Sequence, residues 1–180
     1  QARSARREPA AGKRIIKGWR PLGPCNFGGR TLALAFNPLN PNTIWAGTAS
    51  GGLWRTTTAG LGPRAWERVA VGHPVLGVAA VAVQPDDSNV VYIGTGEVYQ
   101  YQNSIGGLTE RLTRGSYGLG VLKTADGGAN WTKSLDWTAD QRRGVQTVRI
   151  DPQDHRVVWA ATTEGTYKST DAGASWQRVH

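Results

Sequence analysis

A chain of 180 residues with one cysteine can form no internal disulfide, and none of its apolar runs is long enough to cross a bilayer as a helix. Its 24 glycines and nine prolines cut it into short apolar stretches with no helix-period stripe, which argues against a helical bundle and predicts an all-β protein. The formal charge of +8 is unevenly spread: residues 1–20 hold seven bases and one acid, while the other 160 hold 14 bases and 12 acids.

Residues 1–18 therefore read as a basic arm suited to an acidic protein, a membrane surface or another polyanion. The body has no basic stripe with interleaved stacking aromatics, so no specific nucleic-acid partner is expected. The sequence has no methionine, even at position 1, which predicts a processed or partial chain. A removed secretory leader is one explanation, with a periplasmic, extracellular or cell-surface location. Trp19-Arg20-Pro21-Leu22 reads as a lone strand, and Cys25 as a small packed hydrophobe with no base beside it.

From residue 28 one layout recurs three times, over 28–69, 77–135 and 144–180. Each unit opens with an apolar or alternating inner strand that stops at a proline turn: Phe36-Asn37-Pro38, Val83-Gln84-Pro85 and Ile150-Asp151-Pro152. A second strand follows as TIWAGT, VVYIGT or VVWAAT. The third carries Trp54-Arg55-Thr56, Leu122-Lys123-Thr124 or Tyr167-Lys168-Ser169, and the fourth starts at Trp66, Trp131 or Trp176. The proline turns are 47 and 67 residues apart, the longer interval holding an insertion over 97–118. Without it the period is close to the ~40–45 residues of a four-stranded propeller blade.

Between the third and fourth strands lies a repeated turn, KTADGGANW from Lys123 and KSTDAGASW from Lys168. Asp accepts main-chain N–H groups in such a bend, glycine supplies φ > 0, and the tryptophan covers neighbouring sheet. The first unit has Thr58 where the aspartate belongs. A pattern that recurs with the architecture reads as a structural corner rather than as chemistry.

Thr124, Asp126, Gly128 and Trp131, with Ser169, Asp171, Gly173 and Trp176, match Ser/Thr-x-Asp-x-Gly-x-x-Trp and resemble Asp-box (BNR) repeats. GPCNFGGR, AGTASGGLWR and IGTGE more specifically resemble secreted bacterial sortilin-like proteins labelled glycosyl hydrolase. The resemblance covers 19–180 and implies a β-propeller of four-stranded antiparallel blades, with inner strands around a channel. It also implies Asp-box hairpins on the outer part of one face and ligands on the opposite face. About three blades are present, fewer than the four to eight that close a propeller, so a partial propeller is expected, within a longer chain or completed by another subunit.

In xyloglucanase-type enzymes the resemblance places a catalytic Asp in a Thr-Asp-x-Gly-Gly context, but the matching stretch Thr48-Ala49-Ser50-Gly51-Gly52 has Ala49, which cannot act as a base. The sialidase arginine triad cannot be assembled either. Glu97 and Glu164, equivalent after the second strand, remain as an acid–base candidate pair. The insertion supplies candidate partner-binding residues Tyr99, Tyr101, Arg111, Arg114 and Tyr117. His73, His155 and His180 read as surface residues, and no spacing suggests a metal or cofactor. The function expected is a non-catalytic protein-interaction scaffold or accessory subunit of a surface or membrane-associated assembly. The alternative is a carbohydrate-binding or glycoside-hydrolase-type propeller.

Overall fold

The computed structural model describes residues 30–75, 77–103, 109–113, 116–139 and 143–180, with 99–103 and 109–113 described through the backbone alone. The basic arm, Trp19–Leu22 and Cys25 lie outside the described residues. Among the described residues every regular element is a strand, and twelve of the fourteen strands form three four-stranded antiparallel sheets. The architecture is that of partial β-propeller blades.

Blade 1 comprises β1 (Thr31–Phe36), β2 (Ile44–Thr48), β3 (Leu53–Thr56) and β4 (Trp66–Val69), hydrogen-bonded in that order. Blade 2 pairs β5 (Val78–Val83), β6 (Val91–Thr95), β9 (Gly120–Thr124) and β10 (Thr132–Asp136). Blade 3 pairs β11 (Val145–Ile150), β12 (Val158–Thr162), β13 (Gly165–Ser169) and β14 (Gln177–Arg178). The 97–118 insertion, read from sequence as a loop, contains a fourth, two-stranded sheet of β7 (Val98–Asn103) and β8 (Thr109–Thr113).

Local chemistry ends two of the three inner strands as their turn residues dictate. Asn37 Oδ1 accepts the Leu39 and Asn40 amides, and Asp151 Oδ1 accepts those of Gln153 and Asp154, so both prolines sit in side-chain-closed turns. Each inner strand also carries one register shift near its start, between Thr31 and Ala33, Val78 and Ala80, and Val145 and Thr147. A bulge at the same place in all three blades bends the strand and raises its twist.

β5 lies against both β1 and β11, so the inner strands stand side by side. Two cores fill the gaps between blades. Trp45, Leu53, Val81, Val91, Ile93, Leu122 and Trp131 join blades 1 and 2; Tyr92, Val121, Trp137, Val145, Val148, Val158 and Ala160 join blades 2 and 3. Close approach depends on glycine in the second strand. A Cβ on Gly47 would lie 2.4 Å from the Val78 carbonyl oxygen, and one on Gly94 would lie 2.6 Å from Val145 Cγ1.

Candidate functional site

The repeated turns are built alike and stand apart, one in blade 2 and one in blade 3. Thr124 Oγ1 donates to Asp126 Oδ1 at 2.7 Å and accepts the Gly128 amide at 3.0 Å. Asp126 also takes the Asn130 amide at 2.9 Å and its side-chain NH2 at 2.8 Å. In blade 3, Ser169 Oγ donates to Asp171 Oδ1 at 2.7 Å and accepts the Gly173 amide at 2.8 Å, while Ser175 gives Asp171 its amide and hydroxyl. The Ser175 hydroxyl and amide and the Ser169 hydroxyl hold the Asp171 carboxyl down at about 2. The Asn130 amide, the Thr124 hydroxyl and the Asn130 side chain hold Asp126 well below the usual carboxylate range.

Both carboxylates spend their lone pairs inside their own bends. Trp131 Nε1 returns to the Gly128 carbonyl at 3.1 Å, whereas Trp176 Nε1 reaches across to Ser134 Oγ at 2.9 Å. The first-blade turn keeps the backbone form without the aspartate: Thr56 Oγ1 accepts the Thr58 and Gly60 amides, and Ala59 and Gly60 have φ of 52° and 74°. The matching pairs are Gly127 and Gly128, at 70° and 95°, and Ala172 and Gly173, at 55° and 81°.

Sequence reading missed what these turns meet. Across each sheet an aromatic of the second strand is paired with a cation of the third: Trp45 with Arg55, Tyr92 with Lys123, Trp159 with Lys168. The cation stands over its ring at 5.3, 5.3 and 4.9 Å. The first two pairs dock onto the next blade's turn. Arg55 donates to the Gly127 carbonyl at 2.8 Å; Lys123 Nζ and Tyr92 OH both donate to the Ala172 carbonyl at 2.7 Å. Burial, reinforced by the charge of Asp171, pushes the Tyr92 phenol up to about 12, and burial pushes Lys123 down. Aligning the second and third strands of the repeats could have found this row, since Trp, Tyr and Trp recur at one position and Arg, Lys and Lys at the other.

A second cluster lies where the second strands end. Glu97 follows β6 and Gly96 (φ 86°), and its side chain is fully buried. Arg30, preceding β1 of the neighbouring blade, grips both carboxylate oxygens, Nη1 on Oε1 and Nη2 on Oε2 at 2.8 Å. Glu164, in the turn from β12 to β13, is 17% exposed, with Arg143 Nε 3.9 Å away. The Arg143 guanidinium also lies 5.5 Å over the Trp137 ring. The base of the insertion meets this spot: the Gly118 amide donates to the Arg143 carbonyl, and the Glu97 amide to that of Ser116. Ala49 is buried beside the cluster, its amide on the Arg30 carbonyl.

Each candidate glutamate is thus opposite an arginine that precedes an inner strand, and the two arginines were missed because nothing in local sequence ties them to carboxylates 67 and 21 residues away. Of the candidate partner-binding residues, Tyr117 is half-exposed. Tyr99 and Tyr101 fall on β7 and Arg111 on β8, where only backbone is described, and Arg114 lies outside the described residues. His155 Nδ1 pairs with Asp86 at 2.8 Å across blades 3 and 2. Among the described residues no three His, Cys, Asp or Glu side chains converge as metal ligands would.

No protein-family model matches the chain. It is 27% identical over 161 residues to Xyloglucanase Xgh74A of Acetivibrio thermocellus, covering 84% of this chain and 18% of that protein. It is 25% identical over 170 residues to the Xyloglucanase of Hypocrea jecorina, covering 89% of this chain and 19% of that protein. Among solved structures, an ancestral GH74 enzyme superposes with a TM-score of 0.60 at 26% identity, over 83% of this chain and 18% of that one. The chain spans less than a fifth of the length of these relatives.

Proposed function

We propose that the chain is a portion of a glycoside-hydrolase-type propeller that receives a xyloglucan-like polysaccharide at the rim carrying Tyr117, Arg143 and Glu164. The observation that carries this reading is the likeness to xyloglucanases over more than four-fifths of the chain. The rim offers suitable chemistry: a half-exposed phenol ring on which a sugar face can stack, with a guanidinium and a carboxylate nearby to bond its hydroxyls. Glu164 retains access to solvent and is the better placed of the two glutamates for proton transfer, while Glu97, clamped by Arg30, shapes the loop that carries it. A polysaccharide ligand also fits an exported protein.

Affinity electrophoresis and calorimetry with xyloglucan oligosaccharides test the reading. Binding by the parent chain and about tenfold weakening by Tyr117→Ala are expected, the loss of one stacked ring. No binding by the parent chain overturns it. If hydrolysis accompanies binding, Glu164→Gln should abolish it without abolishing binding.

One observation favours a second reading, a non-catalytic scaffold carrying Asp-box corners: Ala49 supplies no carboxylate and Glu97 is sealed beneath an arginine. A protein partner would then engage the β7–β8 hairpin. Co-purification of a fixed partner, lost in Tyr101→Ala and Arg114→Ala, distinguishes this from glycan binding.

A further inference from the structure

A cavity of about 360 Å³ opens between the start of β3, the end of β4 and the link from β4 to β5. All its lining residues fall within 52–75, so its walls are complete inside blade 1 and that link. It is on the face that carries the rim: Ser50, just before its Gly52 wall, follows β2 by two residues, as Glu97 follows β6 and Glu164 follows β12. The link runs on to Gly77, where a Cβ would lie 2.7 Å from the Oγ of Ser116, the residue before Tyr117.

Blade 2 has an indole at the matching place. Leu53 pairs with Val69 as Val121 pairs with Leu135; two residues further on, blade 2 has the buried Trp137, its amide on the Leu119 carbonyl, and blade 1 has Val71. The smaller side chain accounts for the room. Val71 and Val75, both part of the core between blades 1 and 2, give the cavity an apolar floor. Its ionisable groups are of one kind: Arg68 and His73 line it, and no carboxylate does among the described residues. The Arg68 guanidinium lies against Gly52, where a Cβ would meet Nε at 3.5 Å and Nη2 at 3.6 Å. The neighbouring acid, Glu67, is taken by Arg55 through Nε and Nη2.

We propose that this cavity is a subsite for a uronic acid, a sugar unit bearing a carboxylate, carried as a substituent on the polysaccharide that lies along the Tyr117 rim. The inference rests on the glycan reading above and adds a charge preference to it. A guanidinium takes a carboxylate through two parallel N–H groups, and the His73 ring supplies a further polar contact for the carboxylate or a ring hydroxyl. The apolar face of the sugar then rests on Val71, Pro74 and Val75, the mix of apolar floor and few polar groups that small-ligand sites show. A neutral hexose fits the same space and leaves the guanidinium without its anion, so the cavity selects for charge rather than for size.

Titration of the full chain with methyl glucuronide, methyl glucoside and N-acetylaspartate, followed by NMR at the His73 ring, tests the subsite. The glucuronide is expected to shift the His73 signals and to bind at least about tenfold tighter than the glucoside, the worth of one charge-assisted pair. Arg68→Gln should remove that preference, and an unchanged circular dichroism spectrum checks that the variant folds. Equal binding of glucuronide and glucoside overturns the proposal, as does a preference that survives Arg68→Gln or an absence of any shift at His73. N-acetylaspartate matching the glucuronide also overturns it, since a protein carboxylate would then serve as well as a sugar. Xyloglucan oligosaccharides, whose binding Tyr117→Ala reads, are measured separately: their failure to bind while the glucuronide still seats at His73 sinks the rim and spares the cavity.

Discussion

Asp171 accepts the Ser175 hydroxyl and amide and the Ser169 hydroxyl, and this holds its carboxyl at about 2 while an unfolded chain returns it to the ordinary 3.8. A carboxylate depressed in the fold stabilises it fully above the unfolded value, and that contribution is lost as pH falls through the folded one. Asp126 is shifted the same way. Denaturant unfolding should therefore show stability level above about pH 5 and falling between about pH 4 and 2. In Asp171→Asn that acid-side slope should flatten. Gly173 carries the steric demand of the same turn: at φ 81° a Cβ would lie 2.5 Å from Ser134 Oγ and 3.0 Å from Tyr92 Cε1. Gly173→Ala should cost about 1–3 kcal/mol by urea unfolding. Ala172, at φ 55°, already bears a milder strain of this kind. These corners were legible in sequence because every partner of the aspartate lies within four residues.

At the scale of elements, the four-strand unit was legible too. Period-two apolar runs bounded by Asn-Pro, Gln-Pro and Asp-Pro leave few other arrangements, and the strand starts read from sequence agree with the structure within a residue or two. Two things were not visible. The β7–β8 pairing depends on register between segments rich in Tyr, Gln and Arg, whose alternation carries no apolar signal. The docking of Tyr92 and Lys123 onto the Ala172 carbonyl spans 80 and 49 residues, beyond any local pattern. Because the two donors share one acceptor, their effects should not add. Tyr92→Phe is expected to cost about 1 kcal/mol, and a double-mutant cycle with Lys123→Met should show coupling of about 0.5 kcal/mol or more.

For the molecule as a whole, the inner rim depends on the Arg30–Glu97 bridge, which ties the entrance of blade 1 to the exit of β6 in blade 2. Removing the arginine takes the two-pronged cation away from a fully buried carboxylate. Arg30→Met should therefore destabilise by roughly 1–3 kcal/mol, in the lower part of the range for such groups because Arg30 is itself half-exposed. Arg30→Met with Glu97→Met should recover much of that loss, a comparison made by chemical denaturation. The rim glutamates could be placed from sequence, since their position repeats after each second strand. Their arginine partners could not, because Arg30 and Arg143 precede inner strands at different offsets.

The joint between blades has a property that side-chain-to-side-chain joints lack. Its receiving half is the oxygen of a peptide group, present whatever residue occupies the turn, so substitution cannot delete it and only a change in chain path can move it. The Thr58 bend has lost its carboxylate yet still offers that oxygen at Ala59. A cassette of this kind can shed its acid and remain able to couple, provided its neighbour keeps a ring and a positive charge to reach for it.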